Sequence, residues 1–282
     1  MFPSLTGRRR RQLNQALYML VLGVLTWFWL IPAVWSLSMS FKPEVVLRRS
    51  TAGLLPIPFT LKNYSYMLSS GHIQRWFLNS AVVCVSRTLL VLVVNGLAGY
   101  AFACIPFKGK RIIFPVVLAG IMVPSQAFFI PIYLMIARMH WHNTYAALIL
   151  PTVATSFGVF LLTSFFKRIP RELQESAMLD GAGPMTIFLR IILPLSKPVF
   201  ATLGIFTFLG SWNDFLWPLI STSKLEMMTI TVGLPLLVVE WDTAEFLGRM
   251  MAGAWIAGIP IVILFLVFQR HLIRGIALEG SF

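Results

Sequence analysis

Five side chains of this sequence are of types that could bind a solute, although they lie within stretches that are otherwise apolar. Asn213 and Asp214 are flanked by Trp212 and Trp217, and Arg87 lies within another apolar stretch. Amide, carboxylate and indole groups can bind hydroxyls and pack on C–H faces, as a sugar-like ligand requires. An ionisable residue inside a membrane is a candidate functional residue, because its exposure to lipid is costly. We therefore predict that these five residues line a substrate pathway.

Structural alternatives apply to the same residues. Asn213 and Asp214 could hold helices together through interhelical hydrogen bonds instead of contacting a solute. Arg87 could face the pathway, or it could pair with Asp214 across two helices. The sequence leaves these alternatives open.

A second group of candidates lies in the segment 167–195, which is too polar to cross a membrane. Pro170 suits the first position of a helix, and Gly181 suits the residue just after its end. Small residues and a glycine turn would make a short rigid knob that fits a groove on a soluble partner. The alternative is a helix on lipid headgroups, which an acidic segment broken by glycine suits poorly. The predicted faces of this helix carry Ile169, Leu173 and Ala177 on one side and Glu172, Glu175 and Leu179 on the other.

The sequence contains no recognisable catalytic or cofactor-binding pattern. Gly109 and Lys110 do not belong to a phosphate-binding loop, since Arg111 follows them and no glycine lies five residues before Gly109. His140 and His142 have no cysteine or carboxylate nearby, which argues against a metal site. We therefore predict no catalytic residue, no bound cofactor and no metal in this chain, so a partner must supply any chemical energy.

The elements that position these candidates are those of a membrane protein. Of the 282 residues, 57% are apolar and 12% are charged, and the mean hydropathy is +0.80, whereas about 25% of the residues of a soluble domain are charged. The formal charge of +13 does not indicate nucleic-acid binding, because the basic residues lie in short clusters between apolar stretches. The sequence therefore predicts an all-α, polytopic protein of the lipid bilayer that does not bind nucleic acid.

Six apolar stretches have the length of a membrane-spanning helix. Basic clusters follow alternate stretches, which predicts that both termini and the segment 167–195 are cytoplasmic. The first outer loop, residues 42–75, is an exception because it carries five basic residues. The predicted organisation is a basic tail at 1–13, a first helix and outer loop at 14–75, a transmembrane core at 76–270 and a C-tail at 271–282. The six stretches are 14–39, 77–104, 112–137, 144–166, 196–220 and 250–269.

The segment ESAMLDGAGPMTIFLRIILP at 175–194 resembles the cytoplasmic loop of ABC importer permeases. It has an acid, small residues, a glycine and the ending I-x-LP, with Ser176 where alanine is usual. Other segments resemble the maltose-type carbohydrate permeases, in particular their smaller, six-helix subunit. The matching residues are Glu175, Ala177, Gly181, Ile191, Leu193 and Pro194, and the matching segments are WFLNSAVV at 76–83, LAGYAFA at 97–103, KGKR at 108–111, GSWNDFLWPL at 210–219 and FQRHLIRG at 268–275.

This resemblance implies the type I ABC importer permease fold in a prokaryotic inner membrane, with a cytoplasmic coupling helix. The implied cargo is a carbohydrate, a polyol or a glycerol phosphate. The implied partners are a second permease subunit, a dimer of ATP-binding subunits that holds ATP and Mg, and an extracytoplasmic substrate-binding protein. In this family the segment of the larger permease subunit that corresponds to Asn213 and Asp214 lines the sugar pocket. The residues implied to dock on the ATPase are Glu175, Ser176, Ala177, Asp180 and Gly181.

Two further alternatives stay open at this point. The outer segment from about Ser221 to Gly248 would reach into the binding protein by resemblance, but it could equally be a plain connector. A different class of protein, an ion-coupled secondary transporter, would use Asp214 and Arg87 as a charge relay. That mechanism predicts uptake that depends on an ion gradient and not on an ATPase.

Overall fold

The computed structural model describes residues 7–51, 53–69, 71–240 and 246–279. These residues form helices and no strand, which confirms the all-α fold class. The helices are α1 (Gly7–Ser40), α2 (Glu44–Leu47), α3 (Lys62–Ser69), α4 (His72–Cys104), α5 (Lys110–Ala119), α6 (Phe129–Arg138), α7 (Tyr145–Ile149), α8 (Ser156–Phe166), α9 (Glu172–Leu179), α10 (Pro184–Ile187), α11 (Leu193–Leu195), α12 (Lys197–Trp212), α13 (Leu216–Ser221), α14 (Ile230–Glu240) and α15 (Leu247–Glu279). Short 3-10 turns lie at Ser125–Phe128, Leu150–Thr152 and Leu225–Met227, and a π-helical turn lies at Phe188–Ile192.

Among the described residues, three helices are long and apolar enough to cross a membrane without a break: Arg11–Ser40 in α1, all of α4, and Leu247–Gln269 in α15. Two bent pairs of helices raise the number of candidate spans to five. Tyr145–Thr152 meets Ser156–Phe166 at 47°, and α12 meets the helical segment before it at 80°. The apolar stretches 14–39, 77–104 and 250–269 thus lie in unbroken helices, and 144–166 forms the first bent pair. The second pair includes residues 184–195, which precede the predicted stretch 196–220, and that stretch itself forms α12 and α13 with a break between them.

The remaining stretch, 112–137, does not form a single spanning helix. Helix α5 ends at Ala119, and α6 begins only at Phe129 after a 3-10 turn. Pro124 starts that turn with extended backbone, because proline has no N–H with which to continue a helix and restricts the residue before it. A side chain at Gly120 would overlap the hydroxyl of Ser156, so the end of α5 packs closely against the start of α8.

The chain divides into two compact units, Met1–Ser70 with Leu237–Ile256 and Gly71–Leu236 with Ala257–Phe282. Each unit has polar contacts of its own.

In the first unit, basic residues of the predicted outer loop have structural roles. Lys42 is buried and its ammonium group donates to the carbonyl of Gly53. The guanidinium group of Arg249 lies 3.8 Å from the ring centroid of Tyr66, which is within the range of a cation–π contact. Burial of Lys42 gives a physical reason for one of the basic residues that made this loop an exception.

In the second unit, α4 packs against α8 and α12. A side chain at Gly99 would lie 3.0 Å from the Cβ atom of Leu162 and 3.2 Å from the backbone nitrogen of Thr163. The glycine of the LAGYAFA segment therefore lets α4 and α8 approach closely. The buried core formed here comprises Val91, Tyr100, Leu162, Phe166, Ile169, Ile187, Phe188, Ile192, Val199 and Leu203.

The 80° bend before α12 follows from the sequence around Pro194. This proline has no N–H for a helical hydrogen bond, and a π-helical turn lies just before it, at Phe188–Ile192. Ser196 is fully buried at the bend, and its backbone N–H donates to the carbonyls of Ile192 and Leu193 at 3.0 and 3.2 Å. The bend redirects the chain from the predicted cytoplasmic segment into α12.

The predicted outer loop from Ser221 to Gly248 is only partly a loop. It contains α14, an 11-residue helix, and Gly248 already belongs to α15. Residues 241–245, which include Trp241, Asp242 and Glu245, lie outside the described residues. The contact of this segment with a binding protein therefore stays a prediction.

Candidate coupling segment and polar centre

The five residues predicted to line a pathway, Arg87, Trp212, Asn213, Asp214 and Trp217, form what we call the polar centre. Arg87 lies 15 residues after the start of α4 and 17 before its end, or about 22–26 Å from either end. Its Nη1 atom lies 3.3 Å from the Oδ2 atom of Asp214, with 17% of the arginine and 21% of the aspartate side chain exposed. The structure therefore contains the interhelical pair that the sequence allowed.

Asp214 has further bonds that hold the break between α12 and α13. Its Oδ1 atom accepts a hydrogen bond from the backbone N–H of Trp217 at 3.3 Å, as a residue before the start of a helix commonly does. Its backbone carbonyl accepts from the hydroxyl of Thr231 at 2.7 Å. Through Asp214, the interrupted span is connected to α4 and to α14.

The two tryptophans of the polar centre are packed and hydrogen-bonded. Each is 3% exposed. The indole N–H of Trp212 donates to the carbonyl of Ala257 at 3.0 Å, and that of Trp217 donates to the carbonyl of Ala147 at 2.9 Å. In this conformation neither indole is available to a solute.

Asn213 is the exposed member of the polar centre. Its amide donates to the carbonyl of Leu209 at 2.9 Å, close to the end of α12. Arg87 and Asp214 are partly exposed. The lining role stays a prediction, and these three residues are the members of the centre that the rest of the chain leaves uncovered or partly uncovered.

Two asparagines of α4, Asn79 and Asn95, were missed by the sequence analysis, although both are fully buried. The amide of Asn95 donates to the carbonyl of Val153 at 3.0 Å, and its Oδ1 atom accepts from the backbone N–H of Thr155 at 3.0 Å. These bonds satisfy the backbone where the chain breaks between α7 and α8. The sequence did contain a feature that could have identified them, because both are amides within an apolar stretch, as Asn213 is.

The WFLNS part of the WFLNSAVV segment binds the backbone of residues 225–230. The indole of Trp76 donates to the carbonyl of Leu225 at 2.7 Å, and the amide of Asn79 donates to those of Glu226 and Met228 at 2.8 and 2.9 Å. The hydroxyl of Ser80 accepts from the N–H of Ile230 at 2.9 Å. The start of the segment from Ser221 to Gly248 is thus fixed to α4, which a plain connector would not require.

The coupling segment, residues 172–195, begins with α9. Helix α9 starts at Glu172, so Pro170 precedes the helix and the prediction that it occupies the first helical position is wrong. At the other end, Gly181 has φ +80°, as predicted for a helix-ending glycine. The N–H of Ala182 donates to the carbonyl of Ala177 at 2.9 Å, and that of Gly181 donates to the carbonyl of Met178 at 3.0 Å. This pair of bonds is the Schellman motif, which ends the helix sharply.

The inner side of α9 packs against the core of the second unit. Ala177 and Ala182 pack against the buried core, and Gln174 is buried. Of the three residues predicted to share one face, Ile169 is buried and Ala177 packs against the core, whereas Leu173 is 43% exposed. Ile169 lies before the start of the helix, so a helical period cannot be extended from it to Leu173.

The outer side of α9 exposes both charged and large apolar side chains. Glu175, Ser176 and Asp180 are exposed. Met178 and Leu179, which are 54% and 90% exposed, were not among the predicted docking residues. Exposed apolar side chains on a rigid turn are the features of a surface that contacts another protein.

A cleft of about 510 Å³ separates α9 from the ends of α4 and α8. Its charged lining consists of Lys110, Lys167 and Arg171 with Glu175. Lys110 donates to the carbonyl of Ile105 at 3.2 Å, near the end of α4, where a cation offsets the negative end of the helix. One side of α9 is therefore not packed against the bundle.

The described residues contain no group of three or more histidine, cysteine or acidic side chains that could hold a metal. The ring of His142 lies edge-on to that of Tyr133, with centroids 4.8 Å apart. His140 has a positive φ of 56° in the turn after α6.

Comparison with known proteins gives one family match and many relatives. The model of the family described as "Binding-protein-dependent transport system inner membrane component" matches residues 95–278. The arabinooligosaccharides transport system permease protein of Bacillus subtilis (strain 168) is 34% identical over 260 residues, which covers 91% of this chain and 92% of the relative. The trehalose transport system permease protein of Mycobacterium tuberculosis (strain CDC 1551 / Oshkosh) is 30% identical over 272 residues, or 96% and 97% of the two chains.

A solved structure shares the fold. A chain of a bacterial ABC transporter involved in the import of the acidic polysaccharide alginate superposes with a TM-score of 0.83 at 20% identity, over 95% of this chain and 99% of that chain. The family match covers more than half of the sequence, and both relatives align along nearly all of it. The chain therefore belongs to the family of inner membrane components of binding-protein-dependent transport systems.

Proposed function

We propose that this chain is one of the two membrane subunits of an ABC importer for a carbohydrate, or for a related polyol or glycerol phosphate. The observation that carries this proposal is the similarity, along nearly the whole chain, to permeases named for arabinooligosaccharide and trehalose transport. Members of the family translocate a solute without catalysing a reaction, since a separate subunit hydrolyses ATP. The family assignment gives no support to the ion-coupled secondary transporter.

The proposed assembly contains a second permease subunit, a dimer of ATP-binding subunits and an extracytoplasmic substrate-binding protein. This chain binds no cofactor, and ATP and Mg lie on the ATPase. The protein is a multi-pass protein of the plasma membrane, and both termini face the cytoplasm. The basic clusters beside alternate apolar stretches support that orientation.

The coupling segment is the proposed docking site for the ATPase. Its docking residues are Glu175, Ser176, Ala177, Asp180 and Gly181, to which the structure adds the exposed Met178 and Leu179. Because the inner side of α9 packs against the core and the chain continues through the 80° bend into α12, a displacement of α9 by the ATPase would move α12. Packed cores transmit displacement because their interiors have low compressibility.

The members of the polar centre that this chain leaves at least partly uncovered, Arg87, Asn213 and Asp214, are the proposed contacts for the solute. Helix α12 ends at Trp212, immediately before Asn213 and Asp214. Irregular backbone at membrane depth occurs where it is buried in protein or lines a water-filled cavity. The exposed amide of Asn213 and the partly exposed groups of Asp214 and Arg87 offer the donors and acceptors that hydroxyls need.

Transport by the reconstituted assembly tests this function. The chain is co-purified with its second permease subunit and ATPase, reconstituted into proteoliposomes with ATP at the ATPase face, and supplied with its binding protein. Uptake is measured for arabinooligosaccharides, trehalose and glycerol phosphate. We expect uptake of a carbohydrate or polyol that requires both ATP and the binding protein, and none with an ATPase that cannot hydrolyse ATP.

Two outcomes would contradict the proposal. Uptake driven by an ion gradient without ATP would assign the chain to a different mechanism. ATP-dependent uptake of a solute unrelated to sugars, such as an amino acid, would overturn the substrate class while leaving the importer assignment in place.

A further inference from the structure

The loop between α2 and α3 exposes an uncharged and strongly apolar surface. We call residues 50–61 the apolar loop, because no charged residue occurs from Ser50 to Leu61. All five of its large apolar side chains are at least 45% exposed, although the ring of Phe59 also stacks on that of Phe41 with centroids 5.1 Å apart. Their exposed fractions are 45% for Leu54, 69% for Leu55, 72% for Ile57, 61% for Phe59 and 59% for Leu61.

The apolar loop folds back along the end of α1. The indole N–H of Trp35 donates to the carbonyl of Thr51 at 3.1 Å. At the helix end itself, the N–H of Thr60 donates to the carbonyl of Phe41 at 2.8 Å. Trp35 lies five residues before Ser40, the last residue of α1, which is about 7.5 Å along the helix axis. The start of the loop is therefore level with the last turns of α1 and not above its end.

That level corresponds to the surface of a membrane. The apolar part of α1 extends from about Ala16 to Leu37, so Trp35 lies near the end of the hydrocarbon-spanning stretch, where tryptophan is enriched. Backbone without regular hydrogen bonds is not tolerated in contact with the hydrocarbon core, but it is tolerated where water reaches it. The loop can therefore occupy the interfacial layer without crossing it.

The charges on both sides of the apolar loop fit the same layer. Arg48 and Arg49 precede it and Lys62 follows it. Basic residues beside an apolar surface are the combination that binds an interface containing anionic lipids. A soluble binding protein, in contrast, would have to reach below the end of α1 to cover the start of this uncharged loop, which is level with Trp35.

We propose that the apolar loop is an interfacial anchor, with Leu55 and Ile57 inserted into the lipid at the membrane surface where α1 ends. Interfacial amphipathic helices bury their apolar face about 5–10 Å into the boundary between headgroups and acyl chains, and we expect a similar depth for Leu55 and Ile57. The anchor fixes the end of α1 at the bilayer surface. This inference does not depend on which solute the protein carries.

The test is the membrane depth of spin labels on the loop. Leu55→Cys and Ile57→Cys are made separately in a Cys84→Ala, Cys104→Ala background and labelled with a nitroxide. Ser65→Cys, at an exposed position of α3, is the matched control. Collisions of each label with oxygen, which partitions into lipid, and with a water-soluble nickel chelate are measured in nanodiscs. The chain is present alone, with its second permease subunit and ATPase, and with the binding protein added.

We expect the ratio of oxygen to nickel collisions at positions 55 and 57 to exceed that at position 65 several-fold in all three preparations. Three results would overturn the proposal. A ratio equal to that at position 65 would place the loop in water. Protection from both reagents in the assembled complex would assign the loop to the second permease subunit. Nickel access that is lost only when the binding protein is added would assign it to that protein.

Discussion

The coupling segment and the polar centre both lie in the second compact unit, but they are held in opposite ways. The coupling segment rests on the core through Ala177 and Ala182 and ends in a glycine turn, and its acidic and apolar side chains remain exposed. In the polar centre, Arg87 bonds to Asp214, and the carboxylate and carbonyl of Asp214 take further hydrogen bonds. The coupling segment therefore leaves its acidic and apolar side chains exposed, whereas the polar centre binds most of its polar groups to other residues of the chain.

The difference follows from what surrounds each region. The coupling segment, which we propose to be cytoplasmic, would lose little by leaving polar side chains without a protein partner, because water can bind them. A helix break within a membrane exposes backbone groups that have no water to bind, so side chains from a neighbouring helix must satisfy them. In α4, the amides of Asn79 and Asn95 bind backbone carbonyls of Met228 and Val153, and Arg87 binds the side-chain carboxylate of Asp214.

The largest expected effect is at the ion pair of the polar centre. Arg87→Met leaves the partly buried carboxylate of Asp214, whose side chain is 21% exposed, without its cation, which we expect to lower the free energy of unfolding by about 3 kcal/mol, the lower end of the range for a buried pair. Denaturant titration of the purified chain in detergent measures it. The double variant Arg87→Met, Asp214→Leu should lose less free energy of unfolding than the two single variants lose in sum, because no unpaired charge remains.

The same double variant separates structure from transport. If stability recovers while uptake stays abolished, the pair also contacts the solute or controls the pathway. If both recover, the pair is structural. A single Arg87→Met variant as stable as the wild type would show that the ion pair does not hold this region together.

The second largest effect is expected at the break between α7 and α8, where Asn95 binds the backbone. Asn95→Leu removes the partners of the Val153 carbonyl and the Thr155 N–H, and a buried unsatisfied group costs about 1–3 kcal/mol. The identical substitution at the exposed Asn213 is the control and should change stability by no more than about 0.5 kcal/mol. Equal losses at the two positions would contradict the division between buried and exposed amides.

A smaller effect is expected at the turn of the coupling segment. Gly181→Ala places a side chain on backbone with φ +80°, at a cost of about 1–2 kcal/mol. Gly183→Ala is the matched control, since an added methyl group would meet open space at both glycines, but Gly183 has φ −72°. ATPase association and uptake should fall only for Gly181→Ala. Equal behaviour of the two variants would exclude a role for the left-handed turn.

The smallest effect on stability is expected at Leu179. Because this side chain is 90% exposed, Leu179→Ser should leave the free energy of unfolding within about 0.5 kcal/mol of the wild type. It should nevertheless weaken ATPase binding, by about tenfold if it contributes about 1.4 kcal/mol. Ile187→Ser is the contrasting variant. Because Ile187 is a buried position of the same segment, this variant should lower the free energy of unfolding. Unchanged ATPase binding in Leu179→Ser would remove Leu179 from the docking surface.

Much of the local structure could be predicted from the sequence. The membrane-spanning character of α1, α4 and α15 follows from the length of their apolar stretches, because an apolar run of that length has a low free energy in lipid. The end of α9 at Gly181 was predictable for a similar reason, since the left-handed turn strongly favours glycine. The start of α9 was not, because Pro170 also suits the position before a helix.

Burial and pairing were decided by the tertiary structure. Trp212 and Trp217 are of the types that bind sugars, but only the packing shows that both indoles are occupied. Periodicity placed Leu173 on one face with Ala177, yet Ala177 packs against the core and Leu173 is exposed. The amides of Asn79 and Asn95 resemble Asn213 in sequence, yet they are fully buried and bind distant backbone.

By itself, the sequence determined which segments favour lipid, where glycine and proline end helices, and which machine the coupling segment resembles. These properties depend on composition and on the conformational limits of single residues. Only the tertiary structure decided that Arg87 pairs with Asp214 and that α4 supports the breaks of other spans. Such contacts join residues up to about 150 positions apart, and their partners are selected by the packing of helices, which a local pattern does not encode.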